Sequence, residues 1–99
     1  LPLSALARSL AANPAERCGL ARKGGIRVGA DGDLAIVDLE REWTLSESDL
    51  HTRARMSPYV GCRFRGAVVR TPVRGRVVWD DGEFRTAPGW GRFVRRDAA

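Results

Sequence analysis

The chain has 99 residues, of which 43% are hydrophobic and 29% charged, with a formal net charge of +5. That length bounds it to one small domain able to bury roughly two-thirds of its unfolded surface. No apolar run approaches the ~20 residues of a membrane-spanning helix, and the opening "LPLSALARSLAANPAERCGL" has no basic start and carries polar residues throughout, which excludes a secretory signal.

Leu3, Leu6, Ala7, Leu10 and Ala11 recur at three- and four-residue spacing, predicting an amphipathic helix over about Leu3–Ala12. Asn13-Pro14 then reads as a stop, with Asn13 capping a second short helix through "AERCGL" and Pro14 at its first position. "RKGGIRVGADGD" is a glycine-rich connection. "LAIVDL" reads as a strand buried on both faces or nearly so, and "EREWTL" as its extended continuation. In "SESDLHTR", Ser46 and Asp49 have the spacing of a capping box around one helical turn.

From Cys62 onward the pattern has period two. It places Val69, Thr71 and Val73 on one inward face, with Arg70 and Pro72 on the other and Arg63, Arg74 and Arg76 solvated. Pro72 has no N–H to give a ladder and marks an edge or a bulge. Arg74-Gly75 and Asp81-Gly82 are hairpin turns, the second a favoured type I′ pair, after which Phe84 resumes the strand. "APGWGRFVRRDAA" is a loop and tail anchored by Trp90 and Phe93.

Residues 1–50 hold six basic and eight acidic side chains, residues 51–99 eleven and four, and 16 of the 17 basic residues are Arg. The arginines of the basic half alternate with apolar residues and come with no stacking cluster or DNA-binding helix, so they read as the wet face of a sheet and not as a nucleic-acid site. Cys18 and Cys62 form no CxxC and are expected to be reduced, buried small hydrophobes in a cytosolic setting. His51 stands alone, with Asp49 too near in the chain to share its face. Ser57 has no base. "GADGD" lacks the ligand rhythm of a calcium loop, and "RKGGIRVG" lacks the ending of a phosphate loop. Asp80, Asp81 and Glu83 suit a turn. The residues assemble no catalytic, cofactor-binding or metal site.

The order of these pieces resembles the amidohydrolase superfamily. Asn13-Pro14-Ala15, Gly19-Leu20, Lys23-Gly24-Gly25-Ile26, Gly29 and Asp33-Leu34-Ala35-Ile36-Val37-Asp38 match the signature that leaves the barrel for the small β-domain. Ser57-Pro58-Tyr59-Val60-Gly61, Thr71, Val73-Arg74-Gly75 and "GWGRFVRR" are most similar to the allantoinase-like branch of cyclic amidohydrolases. Ala54 stands where such enzymes often carry a histidine, and Gly32-Asp33 where Ala-Asp is usual.

The resemblance implies an α+β fragment of a (β/α)8-barrel hydrolase. Residues 1–20 would be the terminal barrel helix and connector, and 21–99 the C-terminal part of the small β-sandwich. It also implies a cytoplasmic parent that opens a small cyclic ureide, allantoin, to allantoate at two zinc ions. Their ligands, an HxH pair, a carboxylated lysine, two further histidines and an aspartate, lie upstream of the match, and none falls on this sequence. That would account for Leu1 in place of methionine. The expected partners are the rest of the parent chain and, for the isolated chain, further copies of itself, with neither nucleic acid nor membrane. The alternatives are the same segment of a dihydropyrimidinase, hydantoinase or dihydroorotase-like hydrolase, or a free-standing basic binding module.

Overall fold

A computed structural model describes residues 2–96. The chain opens as one continuous helical rod: α1 (Leu3–Ala7), a π-helical stretch (Arg8–Ala12) and α2 (Asn13–Arg17). The expected break at Asn13-Pro14 does not occur. Ala12 (φ −64°, ψ −50°) and Asn13 (φ −65°, ψ −45°) are both helical, so Asn13 is an interior residue and not a cap. Pro14 has no N–H for the preceding turn, and its ring crowds the carbonyl four residues back. Widening that turn to π bonding relieves both: the Asn13 N–H reaches the Arg8 carbonyl, five residues away. The rod ends at Arg17, earlier than expected. Gly19 (φ +69°) donates to Glu16 O at 3.1 Å and Leu20 to Ala15 O at 2.9 Å, the paired bonds of a Schellman ending.

The connector closes on itself, with the Asp31 N–H on Arg22 O at 2.9 Å. Gly24 (φ +88°) lies so close to the rod that a Cβ there would sit 2.6 Å from the Ala15 Cβ. The connector then joins the sheet: Leu34 N–H donates to Pro72 O (3.0 Å), Gly75 N–H to Gly32 O (3.0 Å), and Arg74 N–H to the Asp33 carboxylate (2.8 Å).

The sheet has four antiparallel strands in the order β1-β2-β3-β4: β1 (Ile36–Thr44), β2 (Arg63–Val73), β3 (Arg76–Asp80) and β4 (Glu83–Phe84). Both tight turns have positive φ at their two central residues, Arg74/Gly75 (48°, 79°) and Asp81/Gly82 (45°, 94°), as type I′ geometry requires. Ser46 and Asp49 form the expected capping box around a 3₁₀ turn, Glu47–Asp49.

The β2–β3 register shifts between Thr71 and Pro72, the bulge that Pro72 foretold. Thr71 opposes Trp79, Pro72 opposes Val77 and Val73 opposes Arg76, so β3 takes up the extra residue and the alternation of Val69, Thr71 and Val73 along β2 runs on unbroken, all three half-buried. Val73 lies beside Val78 beneath the segment 86–91. Arg63 and Arg76 are exposed, as expected, but Arg74 is half-buried.

Among the described residues only Ala15, at 8% exposure, and Pro72 are buried. The expectation that "LAIVDL" is buried on both faces fails in this chain. Ile36, Val37 and Leu39 are exposed because β1 is an edge strand with β2 as its one partner and no second layer over it. Cys18 and Cys62 are free thiols, but exposed rather than buried. Trp90 anchors the C-terminal segment, whereas Phe93 is 89% exposed and anchors nothing.

Candidate functional site

Three clusters organise the surface. The first joins the connector to the sheet. Lys23 pairs with both Asp31 (2.9 Å) and Asp33, and Arg22 also pairs with Asp31 (2.9 Å). The Lys23 ammonium, hydrogen-bonded to each acid, holds both carboxyls below the usual carboxylate range. Their oxygens in turn raise the Lys23 pKa, Asp33 contributing more than Asp31. Carboxylates paired in this way stay ionised and accept hydrogen bonds, so they are locks and not proton carriers.

The second cluster closes the β2–β3 turn. Trp90 Nε1 donates to Val73 O at 2.8 Å, and the Arg74 guanidinium donates to Trp90 O. The guanidinium carbons of Arg74 and Arg76 lie 4.5 and 4.6 Å from the centre of the indole ring. Two cations against one indole, with both indole N–H and backbone carbonyl satisfied, fasten the C-terminal segment across the turn.

The third is an aromatic face of the sheet. The Trp43 and Phe64 rings pack at 5.2 Å on paired positions of β1 and β2. The Thr71–Trp79–Phe84 row crosses β2, β3 and β4, with Trp79 and Phe84 edge-on at 5.0 Å. The capping-box turn leans over this face. His51 meets Trp79 and Phe84 edge-on at 5.6 and 5.2 Å, leaving an open cavity of about 480 Å³ between Trp43, Asp49, His51 and Trp79. Asp49 accepts the Ser46 N–H (2.9 Å) and hydroxyl (3.0 Å), and these bonds lower its pKa.

The other face of the sheet carries ion pairs. Arg63 pairs with Glu42 (2.8 Å), Arg65 with Glu40, Arg70 with Asp80 (3.2 Å), and Arg85 with Asp80 and Glu83. Of the arginines read as a solvated sheet face, Arg63, Arg65 and Arg70 are thus matched by neighbouring carboxylates, whereas Arg74 and Arg76 lie against Trp90.

The residues weighed from sequence do not converge. His51 is packed among aromatics, Ser57 Oγ accepts its neighbour Tyr59 N–H at 3.2 Å, and Asp80, Asp81 and Glu83 face arginines around a turn. Among the described residues no three His, Cys, Asp or Glu side chains stand close enough to hold a metal ion. Sequence reasoning did not find the Lys23–Asp33–Arg74 junction, whose partners lie up to 41 residues apart. It also missed the Trp79–Phe84 pair, which alternation across the Asp81-Gly82 turn does signal.

No family model matches the chain. It is 55% identical over 95 residues, 96% of its length, to an allantoinase from Rubrobacter xylanophilus. It is 39% identical over 84 residues to a dihydroorotase from Pyrococcus furiosus, with 85% of the chain covered. Among solved structures, an L-hydantoinase (dihydropyrimidinase) from Arthrobacter aurescens superposes with a TM-score of 0.92 at 37% identity over 97% of the chain. The chain spans about a fifth of the length of each: 21%, 20% and 22%. The resemblance to allantoinase-like members of the amidohydrolase superfamily holds, and the α+β unit of helical rod and small antiparallel sheet is a part of the fold of much larger enzymes.

Proposed function

We propose that this chain, similar along nearly its whole length to one fifth of an allantoinase, is the non-catalytic C-terminal segment of an enzyme that hydrolyses the cyclic amide of allantoin to allantoate. The observation that carries this reading is the 55% identity to an allantoinase, against 39% to a dihydroorotase and 37% to a hydantoinase. In this assignment residues 1–20 are the terminal barrel helix and connector, and 21–99 belong to the small β-sandwich. The parent is cytoplasmic, and no helix among the described residues is long and apolar enough to cross a membrane.

A binuclear zinc centre is the expected cofactor of the parent, but the donor set of this chain does not fit it. The one histidine is packed edge-on against two aromatic rings, Asp31 and Asp33 are committed to Lys23, and Asp49 to Ser46. In this reading the catalytic, cofactor-binding and metal residues lie elsewhere in the parent. The part of this chain is mechanical: Lys23, Asp33, Arg74 and Trp90 tie rod, connector, sheet and C-terminal segment into one body that supports the site from outside.

The likeness in fold to a hydantoinase favours a second reading, the same support role in a dihydropyrimidinase. Turnover by the full-length protein decides. The expected result is hydrolysis of allantoin with little turnover of dihydrouracil or dihydroorotate. Preference for either of the latter moves the assignment to that branch, and turnover of none removes it.

A further inference from the structure

The Arg85 N–H on Val78 O, at 2.9 Å, is the last backbone bond that the C-terminal segment makes to the sheet among the described residues. From Thr86 onward the chain runs without strand pairing, yet it stays against the sheet, and the hydrogen bonds that keep it there both belong to Trp90. The indole N–H reaches Val73 O, the Trp90 carbonyl takes the Arg74 guanidinium, and the ring lies against Arg74 and Arg76 together. Beneath the segment an open cavity of about 520 Å³ is lined by Val73, Val78, Phe84 and Pro88. The segment spans this gap instead of packing into it. Its far end then meets the helical rod. The Arg96 side chain lies over Gly19, at the Schellman ending, where an added Cβ would sit 2.7 Å from Arg96 Cγ and 3.0 Å from its Nε. Residues 91–95, between the two contacts, are exposed.

We infer that residues 86–96 form a strap with a single buckle, Trp90, which returns the end of the chain to the rod and holds rod and sheet together independently of the connector. Arg74 is where the two ties meet. Its backbone N–H serves the connector through Asp33, at 2.8 Å, and its guanidinium serves the strap. The ties are therefore chemically separable: removing the indole frees the strap and leaves the Asp33 bond in place. A segment held at one point over an open cavity, without backbone pairing, opens as a unit at a lower free energy than the strands beneath it. All of these contacts lie within this chain, so the strap does not depend on the substrate assignment. With residues 1–20 as the terminal barrel helix, the strap joins that helix to the small β-domain.

Cys18, an exposed thiol beside Gly19, provides the probe. In the full-length protein carrying Arg96→Cys, a short bismaleimide is expected to join the introduced thiol to Cys18, read by mass spectrometry of the digest. Adding Trp90→Ala should slow that cross-link about tenfold, because an unbuckled tail loses its effective concentration at the rod. The reactivity of Cys62 toward the same reagent should stay unchanged, which shows the sheet intact. Trp90→Phe keeps the ring and loses only the N–H. It should slow the cross-link about threefold, and it is read in place of the alanine variant if Cys62 reacts faster there. No cross-link to Cys18 overturns the strap, and an equal rate with and without the Trp90 changes overturns the buckle. Allantoin turnover reads the substrate and the cross-link reads the strap, so either claim can fail alone.

Discussion

Gly24 is the tightest point between rod and connector. Its φ of +88° is a conformation that side chains resist, and an added Cβ meets both Ala15 Cβ at 2.6 Å and Ala11 O at 3.0 Å. Gly24→Ala is expected to destabilise the full-length protein by about 2–3 kcal/mol, read by urea unfolding. Asp33 governs the acid limit of the same junction. Its native pKa lies below the unfolded value of about 3.9, chiefly through Lys23, so its contribution is fully present above that value and is lost as pH falls from there through the lower native pKa. Asp31 and Asp49 act in the same direction. Melting temperature should therefore drop as pH falls below about 4, and Asp33→Asn should flatten part of that slope. An unchanged slope in the variant would remove Asp33 from the account.

At the scale of elements, the extra residue that β3 takes up opposite Pro72 leaves the alternation of β2 intact. Val73 lies beneath the segment that Trp90 fastens, so Val73→Asp, by placing a carboxylate among apolar neighbours, is expected to cost about 2–4 kcal/mol. Arg63→Gln, on the wet face, is expected to cost no more than about 0.5 kcal/mol. Equal losses on thermal unfolding would show that the faces are misassigned. Strands, turns and capping box were legible in the sequence because each rests on local chemistry: alternation, Arg74-Gly75 and Asp81-Gly82, Ser46 with Asp49. The continuous rod was not, because Pro14 normally breaks a helix and only the wider Arg8–Ala12 turn accommodates it. Which strand takes up the extra residue was equally hidden, since a proline announces a bulge but not its side; here it is β3.

At the scale of the molecule, hydrophobicity was read correctly as inward-facing, yet the chain does not contain the layer it faces. The pattern of "LAIVDL" is that of a buried strand, and Ile36, Val37 and Leu39 are nonetheless exposed. The candidate site was not legible in the sequence, because the features that matter here, the Lys23–Asp33–Arg74 junction and the aromatic face, are made by long-range pairing. Separated from the rest of its polypeptide, the chain has Leu3, Leu6 and Leu10 of the rod and the Trp79–Phe84 face open to water, and surfaces of this kind associate. Sedimentation equilibrium of the 99-residue chain at micromolar concentration should show concentration-dependent self-association; a monomer at every concentration would mean that it closes its own core.

The central claim is that this segment supports catalysis and performs none. Incubating the purified 99-residue chain with allantoin and excess zinc tests it most directly, with the full-length protein assayed alongside. The account predicts allantoate from the full-length protein and none above the blank from the chain. Zinc-dependent turnover by the chain alone would contradict it, because the reaction would then be carried by residues assigned here to structure.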